Sequence, residues 1–180
     1  MKSETPSEAP DRGSPAPESA QSVTLREATP ADRDFLRALF ASTRGDELAA
    51  LALDPKQADA FIDMQFNVQQ QSYSARYSTA QNSIILLDGC PVGRMLVDRT
   101  EEAIRLVDIA LLADYRNQGL GSLLIRGLLE EAAAAHKPLQ LSVHKFNPAA
   151  RLYERLGFVK VGDTGAQFKM EWRCESDRKV

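Results

Sequence analysis

The sequence predicts an α+β layer fold, and three observations carry that prediction. Short apolar strand patterns are interleaved with helical stripes, an Asp88-Gly89 pair separates two of the strand patterns, and the glycine-rich run Tyr115-Arg116-Asn117-Gln118-Gly119-Leu120-Gly121 joins a strand to a helix. The resulting order is strand, two helices, three strands, helix, strand, helix, two strands.

Each element has a local cause. Residues 23–26 read as a short first strand. Thr29-Pro30 opens a helix whose apolar positions Phe35, Leu36, Leu39 and Phe40 fall on one stripe. After Gly45 a second helical region is strongest over 54–73, with Ala58, Phe61, Ile62 and Phe66 on its inner face. Residues 84–87 and 92–97 form a strand and its returning partner, because Asp88-Gly89 supplies the positive φ that a tight hairpin turn needs. Pro91 limits pairing at the start of the second of these. A further strand over 104–112 delivers the chain to the glycine-rich run. The helix beyond it turns Leu120, Leu123, Leu124, Leu128 and Ala132 toward the sheet. Gly127, which costs roughly 1 kcal/mol against alanine in a helix, is expected to mark a close approach to another backbone. His136 and Lys137 suit the negative end of that helix, and Pro138 stops it.

Leu139, Leu141 and Val143 then alternate with Gln140, Ser142 and His144 as a strand. The block from Asn147 to Phe158 is a helix with both ends marked. Asn147 is a good N-cap, Pro148 has the φ wanted at the first helical position, and Gly157 suits the left-handed residue that ends it, with Phe158 folding back as its apolar contact. Residues 159–161 and 167–172 are two strands around Asp163-Thr164-Gly165.

Composition fits one domain. With 180 residues and 43% hydrophobic content the chain can bury one sizeable core. A formal net charge of −3 gives no general attraction to nucleic acid or to an anionic membrane. No apolar run approaches the roughly 20 residues of a membrane span, and the N-terminus lacks the apolar stretch of a secretory signal. Cys90 and Cys174 lie far apart with no Cys-x-x-Cys and no histidine pair nearby, so neither a zinc site nor a disulfide framework is supported. A cytoplasmic location is the expectation. Residues 1–21, with Pro6, Pro10, Pro15 and Pro17 among Ser, Glu and Ala, read as a disordered tail, leaving 22–174 as the domain and 175–180 as a polar C-terminal tail.

The glycine-rich run reads as an anion cradle. Two glycines let the backbone approach a ligand, and the first N–H groups of the following helix have no internal partners. With the positive end of the helix dipole, those donors suit a phosphate or pyrophosphate. A dinucleotide fingerprint would need a third glycine where Leu124 stands, and a P-loop would need Gly-Lys-Ser/Thr where Gly121 is followed by Ser122 and Leu123. Arg116-x-x-Gly119-x-Gly121 remains, and by itself it is also compatible with a plain turn joining strand to helix.

The second block decides between those readings. Arg116-x-x-Gly119-x-Gly121 followed by Asn147, Tyr153 and Gly157-Phe158, in this order and spacing, resembles the GCN5-related N-acetyltransferase (GNAT) superfamily. The match is specific over 108–158 and extends by element pattern over 23–172. The resemblance implies a three-layer fold with a central, mostly antiparallel mixed sheet flanked by helices. It also implies transfer of an acetyl group from acetyl-CoA, a co-substrate, to a primary amine in a ternary complex, with no metal. Residues Arg116, Asn117, Gln118, Gly119, Leu120, Gly121 and Ser122 would hold the pyrophosphate, Arg116 through its backbone or its side chain. Ile109, Ala110 and Leu111 would offer backbone groups to the pantetheine amides and the thioester carbonyl from a strand that splays from its neighbour. Tyr153 would face the coenzyme sulfur as proton donor, and Asn147 would touch the pantetheine arm or the acceptor region.

The chemistry explains those residue types. A lysine-like amine has a pKa near ~10.4 and is mostly protonated at neutral pH, so a base must take its proton. The departing thiolate, with a parent pKa of about 8.5, gains from a donor, and a phenol with a pKa of about 10 is protonated and available. Tyr153 could otherwise be an amphipathic core residue; its place in the motif favours the donor role. Asp108 is the one carboxylate in the apolar run Leu106-Val107-Asp108-Ile109-Ala110-Leu111, and a charge so flanked must be paired, solvated or used. It is either the general base or the partner of an arginine such as Arg94 or Arg105. His144, on the same strand face as Ser142, ranks below it.

The acceptor is not specified. Gln65, Gln69 and Tyr73 share one helix face and either line an acceptor pocket or form a solvated face; Glu101-Glu102 and Asp46-Glu47 are local acidic candidates. A small molecule or a protein amine could serve, and a homodimer stays open. The alternatives are a non-catalytic acyl-CoA-binding sensor or interaction module, and a nucleotide-binding protein using the same loop.

Overall fold

The computed structural model describes residues 22–174, so the two expected tails, 1–21 and 175–180, lie outside the described residues. Seven strands form one sheet: β1 (Val23–Glu27), β2 (Gln81–Leu87), β3 (Cys90–Arg99), β4 (Ile104–Leu111), β5 (Leu139–His144), β6 (Val159–Asp163) and β7 (Gln167–Trp172). Their spatial order is β1-β2-β3-β4-β5-β7-β6, and every neighbouring pair is antiparallel except β4 with β5. The helices are α1 (Arg33–Ser42), α2 (Gly45–Leu51), α3 (Pro55–Arg76), α4 (Leu120–Ala134) and α5 (Ala149–Arg155).

Two apolar clusters make this a three-layer structure. On one face of the sheet Ile85, Met95, Val97, Leu106 and Leu141 pack with α4 and α5 through Ile125, Leu128, Tyr153 and Leu156. On the other, Ile84 packs with α1 and α3 through Leu36, Phe40, Ile62 and Phe66, the two phenylalanine rings tilted at 5.8 Å. Strand alternation sends Ile84 and Ile85 to opposite layers, and both are fully buried.

Local chemistry sets most boundaries. Asp88 (φ 50°) and Gly89 (φ 81°) both take positive φ in the two-residue turn between β2 and β3. Pro91 sits at a register shift of that pair, where a missing N–H does no harm. Thr29-Pro30 begins with a single 3-10 turn whose Asp32 accepts from the Thr29 N–H at 2.7 Å and from Arg26 at 2.6 and 2.8 Å. The second helical region is two helices rather than one. Ala52, left-handed at φ 47°, ends α2, and the Asp54 carboxylate caps α3 by accepting from the Lys56 and Gln57 N–H groups, each at 2.9 Å.

Two expectations for α4 need correction. Its inner face is centred on Ile125, Leu128 and Ala132, so Leu123 falls outside the stripe and is 54% exposed. Gly127 does not mark a close approach, since a Cβ there would meet nothing within 4 Å. The close approach is at Gly93 on β3, where a Cβ would lie 2.4 Å from the Ala110 carbonyl oxygen and 2.7 Å from the Leu111 side chain. Only glycine lets β3 and the end of β4 sit this near one another.

One irregularity matters for function. The β3–β4 register steps from Leu96↔Asp108 to Val97↔Leu106, so Val107 is an extra residue, a β-bulge in β4. Plain alternation would put Asp108 on the same face as Leu106, toward α4. The bulge turns it to the face shared with Leu96 and Arg94.

Replacing Gly127 by Ala should raise stability by about 0.4–1 kcal/mol, because the helix gains propensity without a clash. Gly93→Ala should lower it through the backbone collision. Urea unfolding of both variants checks this, and a destabilised Gly127→Ala protein contradicts the account.

Candidate functional site

The site begins where β4 and β5 part. They pair only at Ile104↔Leu139, Arg105↔Gln140 and Leu106↔Leu141, although β4 runs on to Leu111 and β5 to His144. Beyond Leu106, β4 stays paired with β3 through Leu111↔Gly93. Its other edge faces a wedge. Backbone groups of Val107 and Ile109, and the Leu111 N–H, that would have met a neighbouring strand are therefore left for a ligand or water. Ile109, Ala110 and Leu111 are half-buried there.

The chain leaves β4 through a single turn, Ala113–Tyr115, and enters α4 through a strained loop. Asn117 is left-handed at φ 60° and Gly119 at φ 85°, and the N–H of Leu123 is the first to bond inside the helix, to the Gly119 carbonyl at 2.9 Å. The N–H groups of 117–122 donate to no backbone oxygen among the described residues. Left-handed residues set between right-handed ones turn consecutive N–H groups to one side, which makes an anion-binding concavity at the positive end of the helix. Gly121 faces α5, where a Cβ would lie 4.0 Å from the Leu152 side chain.

Two side chains of this loop hold it rather than extend from it. The Arg116 guanidinium donates through Nε to the Leu111 carbonyl at 2.8 Å and through Nη2 to the Ser42 hydroxyl at 3.4 Å, tying the loop to β4 and α1. The Gln118 side-chain amide donates to the Asp114 carbonyl. What the loop offers outward is its backbone.

Asp108 and Tyr153, placed far apart in the chain, come together across the wedge. Tyr153 is buried in α5, edge-on to Phe158 at 5.7 Å. Burial, and then the negative charge of Asp108, push its phenol up to about 12, so it is a proton donor at neutral pH. The Asp108 carboxyl is raised by burial, against the opposing pulls of the Arg94 guanidinium and the Ile109 N–H. Arg94 Nη1 lies 3.7 Å from Asp108 Oδ2, an ion pair without a hydrogen bond. Arg105 is not its partner, since that side chain donates to Gln140 at 2.8 Å.

Arg94 is held on other sides as well. Its Nε donates to Asn82 Oδ1 at 2.8 Å, and the Tyr73 ring lies 5.2 Å from the guanidinium carbon. Burial and the neighbouring Asp108 push the Tyr73 phenol up to about 12. Next to this cluster, between the end of α3 and strands β2 and β3, is a pocket of about 230 Å³ lined by Gln70, Tyr73, Ser74, Asn82, Arg94 and Leu96 among others. Of the α3 residues singled out by spacing, Tyr73 lines it; Gln65 and Gln69 are half-buried and do not. Gln70 and Asn82 were missed, and Arg94 was expected only as a partner of Asp108. Arg94 carries a readable signal, a charge inside the run Val92-Gly93-Arg94-Met95-Leu96-Val97.

The remaining candidates take lesser places. Asn147 Oδ1 accepts from the Ala149 N–H at 2.9 Å and so caps α5, leaving its amide N–H₂ uncommitted to that bond. His144 and Ser142 are exposed on β5, with His144 Nε2 3.1 Å from the Gln167 amide. Glu101 and Glu102 lie in the β3–β4 connection, at the other end of β4 from Leu111, and Glu47 pairs with Arg44 at 2.8 Å.

Comparison with known proteins gives one domain match and many structural ones. Residues 79–160 match the profile of the acetyltransferase (GNAT) domain. The fold superposes on the PaiA N-acetyltransferase of Thermoplasma acidophilum, solved in complex with coenzyme A, with a TM-score of 0.63 and 16% identity over 85% of this chain and 99% of that one. An acetyltransferase of Thermus thermophilus gives 0.60 and 19% over 85% and 97%. A GNAT-family acetyltransferase of Streptococcus pneumoniae gives 0.53 and 26% over 84% and 99%.

The Asp108 carboxyl should titrate above the ordinary carboxylate range of about 3.9, and Arg94→Gln should raise its midpoint further by removing the cation that favours the ionised form. Carboxyl ¹³C NMR, assigned with Asp108→Asn, reads both. A midpoint that falls when Arg94 is removed contradicts this electrostatic arrangement.

Proposed function

We propose that this chain, whose residues 79–160 match the acetyltransferase (GNAT) domain, transfers acetyl from acetyl-CoA directly to a primary amine held in the wedge between β4 and β5. The observation that carries this reading is the parting of the two strands after Leu106, next to the unpartnered amides of 117–122. A carrier with a diphosphate at one end and an extended, amide-bearing arm at the other fits that combination. The reading takes 22–174 as the domain and the cytoplasm as its location. No helix among the described residues is long and apolar enough to cross a membrane.

In this mechanism the amides of 117–122 grip the diphosphate, with Arg116 holding the loop in shape. The arm lies along the free edge of β4, where the Leu111 N–H, with the Ile109 N–H that also faces the Asp108 carboxylate, stabilises the developing oxyanion with little reorganisation. Asn147 offers its amide N–H₂ to the arm. The ammonium of the acceptor first gives one proton to solvent; as the free amine nitrogen forms the new bond to the carbonyl carbon, Asp108, its carboxyl raised by burial, takes the second proton from that nitrogen directly or through a water. The C–S bond then breaks, and the sulfur takes its proton from Tyr153. Asp108 loads the base side and Tyr153 the acid side of one cleft, and a proton moved between them restores both.

Coenzyme A release on a mixed amine panel tests the activity. Tyr153→Phe should lower kcat by roughly 10²-fold or more while leaving acetyl-CoA affinity by calorimetry within about twofold, since a hydroxyl acting on the departing sulfur adds little to ground-state binding. An unchanged kcat removes Tyr153 from the chemistry. Tight acetyl-CoA binding without turnover on any amine points instead to a sensor, and displacement of coenzyme A by ATP or NAD points to a nucleotide-binding protein. Asp108→Asn should abolish the acid limb of the kcat/KM profile, and a limb that survives unshifted passes the base role to another group.

A further inference from the structure

We propose that the acceptor is a small amine carrying a carboxylate on the same or a neighbouring carbon, with the carboxylate seated on Arg94 in the pocket between α3 and strands β2 and β3. This rests on the acetyl-transfer reading and deepens it by naming the substrate class.

Arg94 is only 4% exposed, and a buried guanidinium is tolerated when its charge and its N–H groups are answered. Here they are answered in part. Nε is spent on Asn82, the Tyr73 ring covers one face, and the nearest carboxylate, Asp108, stops at 3.7 Å without a hydrogen bond. Nη1 and Nη2 donate to no side chain or backbone oxygen among the described residues. Asn82 and Tyr73 fix the plane of the fork, and a fixed guanidinium fork matches the two oxygens of a carboxylate.

The pocket around it supports an anion. Its lining includes Tyr73, Ser74, Tyr77 and Ser78 and, among the described residues, no acidic side chain, so nothing there would hold a polycation. The Gln70 side-chain nitrogen, on the same wall, is buried with no hydrogen-bond partner. A donor left so is costly, and a carboxylate oxygen would satisfy it. At about 230 Å³ the cavity suits a small molecule.

The Arg94–Asp108 pair also sets the spacing. A cation and an anion 3.7 Å apart and not bonded to each other are the complement of a zwitterion whose ammonium and carboxylate are close together. With the carboxylate on Arg94, the amino group falls beside Asp108, on the side from which Tyr153 is reached.

The test compares the proteinogenic α-amino acids, each with its own carboxamide, as acceptors for the full chain at saturating acetyl-CoA. At least one amino acid should be acetylated with kcat/KM about 10- to 100-fold above its carboxamide, the size of a charge-assisted pair. Arg94→Gln should erase that preference, and Arg94→Lys should restore part of it, with acetyl-CoA calorimetry reporting that each variant is folded. Acids and carboxamides used equally well, a preference that survives Arg94→Gln, or a protein that binds acetyl-CoA and acetylates no amino acid each overturn the proposal. The comparison on the unaltered protein holds even if the Arg94 variants do not fold. Failure to bind acetyl-CoA at all is a distinct result, which overturns the acetyl-transfer reading together with this one.

Discussion

The structure depends on a sheet that is joined for three residue pairs and then opens. Strands β1 to β4 form one antiparallel unit and β5, β7 and β6 another, and Ile104, Arg105 and Leu106 are the only β4 residues that bridge them. A backbone polar group without a partner is tolerated only where solvent or a ligand can reach it. The unpaired edge of β4 therefore has to be a cleft. Apolar packing fixes the two halves on either side of it. Leu106 and Leu141, the last pair before the opening, belong to the same cluster as Ile125 and Leu128 of α4, and that cluster includes Tyr153 of α5. The helix that begins with the open amides of 117–122 is thus anchored by the same core that frames the wedge.

A second constraint is electrostatic. Asn82, Arg94, Asp108 and Tyr153 form a sequence of polar groups crossing the sheet from the α3 layer to the α5 layer, and the strand gap is what lets the last two sense each other. Arg94 opposes the upward push of burial on Asp108 without cancelling it, because the contact is long. A tight bidentate pair would hold the carboxylate ionised and occupied. The looser one leaves Asp108 able to exchange a proton and Arg94 able to receive another anion.

Much of this could be read from particular residues before the fold was known. Gly119 announced the loop, Asp88-Gly89 the hairpin, and Asn147 with Gly157 the two ends of α5, because each is a residue type whose conformation or hydrogen bonding is nearly obligatory at such a place. The bulge at Val107 was not readable. A valine inside an apolar run carries no mark of being the extra residue, and yet it decides which layer Asp108 faces and so which arginine it meets. Gly93 and Gly127 show the same limit from the other side. Both interrupt an element, but only the neighbouring backbone tells that the first is forced by contact and the second stands in open space. Arg94 had been a candidate partner for Asp108; its pocket, formed by the last turns of α3, depends on tertiary packing that no local pattern encodes.

Backbone amide NMR with coenzyme A added tests the central claim most directly, because the account rests on main-chain donors. The amides of 117–122 and of Ile109 and Leu111 should show the largest shifts, downfield as they take on phosphate and carbonyl oxygens, while those of β1 and β6 stay in place. Saturable binding with these amides unmoved, or with shifts gathered elsewhere on the sheet, would contradict it.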